Sequence, residues 1–198
     1  MFLAIGLVAL SLSGCLEDKV LQIVLTGETY ADFTEYETGA RDPQTAVVDV
    51  ADAIHDILTD NGYSLSDIDD AFVTSVSYGV TSFDQSHDWT ISGSIRVRRN
   101  DDGNGSETFA ELASYASQSV QGALGKKIPV PLEQAGVDVI NGALDDFLAN
   151  GTPILEFQVQ QGDIVPPPSG ADPMVFDWRA WLAIQLITTK TVEVPDPF

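Results

Sequence analysis

Trp89-Thr90-Ile91-Ser92-Gly93-Ser94-Ile95-Arg96-Val97-Arg98 places apolar residues at one parity and polar residues at the other. Successive side chains of a strand point to opposite faces, so this period of two predicts a strand with one dry and one wet face. Upstream of the polar Asp84-Gln85-Ser86-His87, a second run repeats the pattern. Ile68, Phe72, Val76, Tyr78 and Val80 share a parity against Asp69, Ser75, Ser77 and Thr81. Together the two runs predict a long antiparallel pair.

Towards the C-terminus, residues 100–107 form a polar loop. Phe109, Leu112, Ala116, Val120 and Leu124 then recur at spacings of three and four, which predicts a second helix. Lys126 to Pro131 reads as an extended link, because each proline disfavours helix at the residue before it. A third helix is predicted at about 132–149, stopped by Asn150-Gly151. Leu155, Phe157 and Val159 alternate with Glu156, Gln158 and Gln160. After the Pro166–Gly170 break, a long last strand lines up Phe176, Trp178, Ala180, Leu182, Ile184 and Leu186. Its opposite face carries Asp177, Arg179, Gln185 and Thr189, but also the apolar Trp181 and Ile187.

Towards the N-terminus, Lys19 to Thr26 predicts a first strand, which Tyr30 to Thr38 continues or pairs with. Val47, Val50, Ile54, Ile57 and Leu58 predict a first helix over 45–60, closed by Asn61-Gly62. The order β-α-β-β-α-α-β-β predicts an α+β domain over residues 20–194, with 195–198 as a tail. Its expected form is a mostly antiparallel sheet of about five or six strands with three helices packed on one face.

Residues 1–14 carry no charge, and the apolar run from Phe2 to Leu12 is shorter than the roughly 20 residues a spanning helix needs. It reads as the core of a signal peptide. Leu12-Ser13-Gly14-Cys15 at its end resembles the lipobox of bacterial lipoproteins, and all four positions match. The resemblance implies cleavage before Cys15, acylation of its sulfur and new amine, and a short tether over 15–19. Several acyl chains hold a domain at a bilayer where one chain binds only marginally. Leu16 after the cysteine implies sorting to the outer membrane, if the cell is Gram-negative. The expected location is therefore the cell envelope.

Thirty carboxylates against nine basic residues give a formal net charge of −21. Phosphate contacts require Lys and Arg, so the composition argues against nucleic acid as a partner. It favours attraction of cations. Cys15 is the only cysteine, so a lipidated chain has no thiol left for catalysis, zinc or disulfides.

Asn100, Asp102, Asn104, Gly105, Ser106, Thr108 and Glu111 resemble an EF-hand calcium loop, with oxygen donors, a glycine at position six and a glutamate at twelve. Calcium takes 6–8 oxygen ligands, which this spacing supplies. The same residue types also suit a strand-to-helix loop, with Ser106 as an N-cap. Calcium is the one cofactor the sequence nominates. Arg96 and Arg98, beside Arg99, gather positive charge on one wet face, for a partner's carboxylates or for internal pairing. Trp181 and Ile187, with Tyr63 and Phe83 near hairpin ends, mark a candidate apolar interaction surface. His55 and His87 have no metal or triad spacing, and no catalytic motif is present. The expectation is a membrane-anchored, non-catalytic lipoprotein that binds an envelope protein. The alternative is a carrier of a lipid or apolar ligand in a cavity lined by Leu112, Val139, Phe147, Trp178 and Leu182; an envelope hydrolase ranks third.

Overall fold

The computed structural model describes residues 6–8, 19–37, 43–100, 107–151, 154–165 and 173–192. The predicted single sheet with helices on one face is wrong. The described residues instead form two antiparallel sheets. Sheet A has the order β1 (Gly6–Val8), β2 (Lys19–Glu37), β9 (Met174–Val192), β4 (Asp70–Ser82), β7 (Ile128–Val130). Sheet B has the order β3 (Gln44–Asp49), β8 (Ile154–Val165), β5 (Thr90–Arg99), β6 (Ala110–Ser119).

The predicted antiparallel pair of 68–81 with 89–98 does not form: β4 pairs with β9 and β7 in sheet A, and β5 with β8 and β6 in sheet B, so the link between them crosses from one sheet to the other. Three further readings account for the rest of the difference. The predicted second helix is the strand β6, followed by a four-residue helix α2 (Val120–Ala123). Leu112, Ala116, Val120 and Leu124 are each four apart, and four is both close to one helical turn and two strand repeats. β6 is also irregular. Its register with β5 slips twice, and Ser117 takes φ 53°, with its N–H donating to Ser92 Oγ at 2.9 Å. A slip of one residue exchanges the faces, which blurs any clean alternation.

The predicted first helix splits at Asp49. Residues up to Asp49 form β3, and α1 runs Val50–Asn61. Asp49 caps that helix by accepting from the Ala51 N–H at 2.9 Å, and Gly62 ends it at φ 72°. Val47, expected on the helix's inner face, is exposed on β3, while Val48 is buried. Tyr30 to Glu37 does continue the first strand. β9 pairs with β2 along its whole length, from Lys19 opposite Val192 to Glu37 opposite Met174.

Helix α3 (Gln134–Asn150) was legible, but its place was not. It lies against β4 of sheet A and against β5 and β6 of sheet B. Asn141 Oδ1 accepts from the Val73 N–H of β4 at 3.0 Å, next to a slip in the β4–β9 register. On its other side Gly136 meets β6 so closely that a Cβ there would collide with the Leu112 backbone. Helix α1 likewise touches β2 of one sheet and β8 of the other. Where α2 begins, the sheets meet directly, with the Tyr78 and Tyr115 rings stacked at 5.5 Å. One continuous core results, with Ile54, Ile95, Leu112, Ile140, Leu144, Leu155, Leu182 and Ile184 all fully buried.

A candidate ligand groove on the outer face of sheet A

Because β9 lies between β2 and β4, its two parities have different fates. Phe176, Trp178, Ala180, Leu182, Ile184 and Leu186 face the core. The odd-numbered residues face outward, and the register sets each beside a partner on β2: Ala183 beside Glu28, Trp181 beside Tyr30, Arg179 beside Asp32. Side chains directly opposite on one face of an antiparallel pair touch, so three cross-strand pairs form one cluster.

Arg179 is its pivot. Its Nε and Nη2 donate to Asp32 Oδ1 and Oδ2 at 2.6 and 2.8 Å, a two-point contact that fixes the guanidinium plane. The hydrogen bond to Asp32, helped by that carboxylate's charge, raises the Arg179 pKa above its ordinary value. The guanidinium lies 3.7 Å from the centre of the Tyr30 ring and 6.0 Å from that of Trp181. On the other side, Lys127 Nζ stands 5.3 Å from the Trp181 ring and pairs with Glu28. Cations and aromatic faces therefore alternate along the cluster.

Lys127 reaches this place because of Gly79. The chain between α2 and β7 folds over β4, with the Gly125 N–H donating to the Val80 carbonyl at 2.9 Å. A Cβ on Gly79 would collide with the Lys126 carbonyl oxygen and stand 3.1 Å from Trp181 Cζ3. The missing side chain lets the backbone settle and the indole lie close to the strand. From there Lys127 spans β9 to reach Glu28 on β2.

Beside the cluster is an open groove of about 580 Å³. Tyr30, Trp181, Arg179 and Ala183 line it from sheet A, and Ala53, Asp56 and Ile57 line it from α1. Tyr30 is 52 % exposed.

The residues nominated from sequence fall in different places. Trp181 and Ile187 do share the outer face of sheet A, and both are half-buried. Arg96 and Arg98 lie on β5 of sheet B and do not join them. Arg98 pairs with Glu156 at 2.9 Å and covers the Phe109 ring at 4.2 Å, and Arg99 pairs with Asp146. Tyr63 and Phe83 pack against the core. His55 and His87 are exposed. Of the calcium-loop residues, Asp102, Asn104 and Ser106 lie outside the described residues, as does Cys15. Glu111 is a strand residue of β6 opposite Arg96, where the sequence predicted a helix. Among the described residues no helix is long and apolar enough to cross a membrane.

Tyr30, Arg179, Glu28 and Asp32 carried no local signal. What unites them is the β2–β9 register, between segments some 150 residues apart in sequence. The anomaly of an indole on a polar strand face was the one visible pointer. Compared with protein families, curated proteins and solved structures, the chain matches none.

Proposed function

We propose that the chain is an envelope-tethered, non-catalytic binding protein, held by acyl chains on Cys15 and working through the outer face of sheet A. The observation that carries this reading is the aromatic and cationic cluster of Tyr30, Arg179 and Trp181 beside an open groove. Half-exposed aromatics held in fixed rotamers by charged neighbours offer large contact area at little entropic cost. Of the ionic groups in and beside the groove, Glu28 is tied with Lys127 and Asp32 with Arg179, an arrangement that orients side chains, while Asp56 lines it from α1. The lipid-carrier alternative draws no support from the fold: Leu112, Phe147, Trp178 and Leu182 are buried in the core, and Val139 packs against it.

The lipobox supplies the tether. Cleavage before Cys15 removes β1, which pairs with β2 only at residues 22–24, and leaves the whole β2–β9 ladder in place. Lys19 opens β2 four residues after Cys15, so that end of sheet A would stand within about 15 Å of the bilayer surface.

Intact mass of the protein from a membrane fraction tests the anchor: a chain beginning at an acylated Cys15 is expected, and an uncleaved leader with a bare thiol refutes it. A photo-crosslinking residue placed at position 30 tests the face. Adducts in intact envelopes are expected there and not from position 47, an exposed site on sheet B. Equal yields from both positions would remove the face from consideration.

A further inference from the structure

We infer that the groove beside Tyr30 and Trp181 binds a saccharide, through pyranose rings laid on its aromatic wall; this rests on the assignment of that face as the working surface. Three features of the groove select the ligand class. First, its charge is nearly cancelled. In a chain of formal net charge −21, Glu28 is neutralised by Lys127 and Asp32 by Arg179, which leaves the Asp56 carboxylate as the remaining charge among the lining residues, a far weaker field than the rest of the chain's surface carries. Second, its lining mixes aromatic rings with groups of both hydrogen-bonding senses. Arg179 Nη1 is not engaged by Asp32, Asp56 presents an acceptor, and Thr26 offers a hydroxyl. A purely apolar ligand would strip water from these groups without replacing its hydrogen bonds. A pyranose has an apolar C–H face for a ring and hydroxyls that both donate and accept. Third, the groove is open, so a ring within a longer chain can enter from the side. Its volume of about 580 Å³ lies within the range of small-ligand sites.

The Lys127–Glu28 pair crosses above β9 and partly covers the indole. Both side chains are well exposed, 38 % and 48 %, and pairs of this kind contribute little to stability. A ligand therefore opens the strap at small cost, and the freed ammonium can donate to its hydroxyls.

Trp181 also provides the readout. Of three tryptophans, Trp89 and Trp178 are 7 % and 4 % exposed, which leaves Trp181 as the indole a ligand can reach. The experiment titrates the full chain, in a detergent without a sugar headgroup, with a panel of neutral, N-acetylated and uronic-acid tetrasaccharides. A saturable change in tryptophan emission is expected for at least one of the uncharged sugars, and a response to the uronic acids alone would overturn the inference. Calorimetry with that sugar should show Tyr30→Ala and Trp181→Ala each weakening binding at least tenfold, with Tyr36→Ala, further along the same face, within twofold of wild type. Should Trp181→Ala fail to fold, Tyr30→Ala and Trp181→Leu, each checked by thermal melting, carry the test. Cosedimentation with envelope polysaccharide then separates a structural polymer from a free oligosaccharide. No saturable response across the panel, or binding indifferent to both aromatic substitutions, overturns the inference. If crosslinks from position 30 then lead to a protein, the working face stands and only the saccharide falls. If they do not exceed those from position 47, both fall.

Discussion

Tyr78 shows how one buried polar group is handled in this core. Its ring stacks on Tyr115 between the sheets, and its hydroxyl donates to Gln118 Oε1 at 2.7 Å. Burial pushes its pKa up to about 12, because the phenolate would lose its hydration there. In the unfolded chain the same phenol ionises near 10. Between these values the native state keeps a proton that the unfolded state releases, so stability falls as pH rises through that window. Tyr78→Phe should abolish that share of the alkaline loss. At neutral pH it should cost about 1 kcal/mol, the net worth of an ordinary hydrogen bond. Urea unfolding at pH 7 and pH 11 checks both; an unchanged alkaline slope would refute the account. Glu35 is a second such group, fully buried and accepting from Trp178 Nε1 at 2.7 Å. The sequence showed it only as one acid interleaved in a strand. Its burial follows from sharing the inner face of β2 with Phe33, whose ring stacks on Trp178 at 4.6 Å.

At the scale of elements, α3 is the piece that fastens the two sheets together, and its glycines separate two kinds of constraint. Gly136 faces β6, and a methyl there meets Leu112 backbone, which cannot swing away. Gly142 lies in the same helix with nothing within 4 Å of its missing Cβ. Gly136→Ala should destabilise the protein by about 1–3 kcal/mol, as overpacking does. Gly142→Ala should stabilise it by about 0.5–1 kcal/mol, by restoring helix propensity and reducing the freedom of the unfolded chain. Opposite signs in chemical denaturation are the expected result; equal effects would show that α3 does not press on β6. The periodicity of α3 was legible because its inward residues recur at three and four with a wide arc. β6 was not, since bulges and a left-handed Ser117 break its alternation. Neither signal could reveal that the helix touches both sheets, which depends on Asn141 meeting the irregular edge of the β4–β9 pairing.

For the molecule as a whole, the charge of −21 is a long-range repulsion that folding must overcome. Raising salt from 0.01 to 1 M shortens the screening length from about 30 Å to about 3 Å. The melting temperature should therefore climb by several degrees with sodium chloride. A flat or falling curve would mean that the ion pairs, above all Arg98–Glu156, outweigh the repulsion they sit in. By itself the sequence determined the acidity, the strand character on either side of residues 84–87, the third helix and the long last strand. Each rests on composition or on a period confined to a short stretch. Only the tertiary structure decided that there are two sheets, that 110–119 is strand, and that Tyr30 and Arg179 meet Trp181. Those outcomes depend on pairing between distant segments. A spacing of four residues fits strand and helix alike until neighbouring strands choose between them, and cross-strand partners exist only once a register is set.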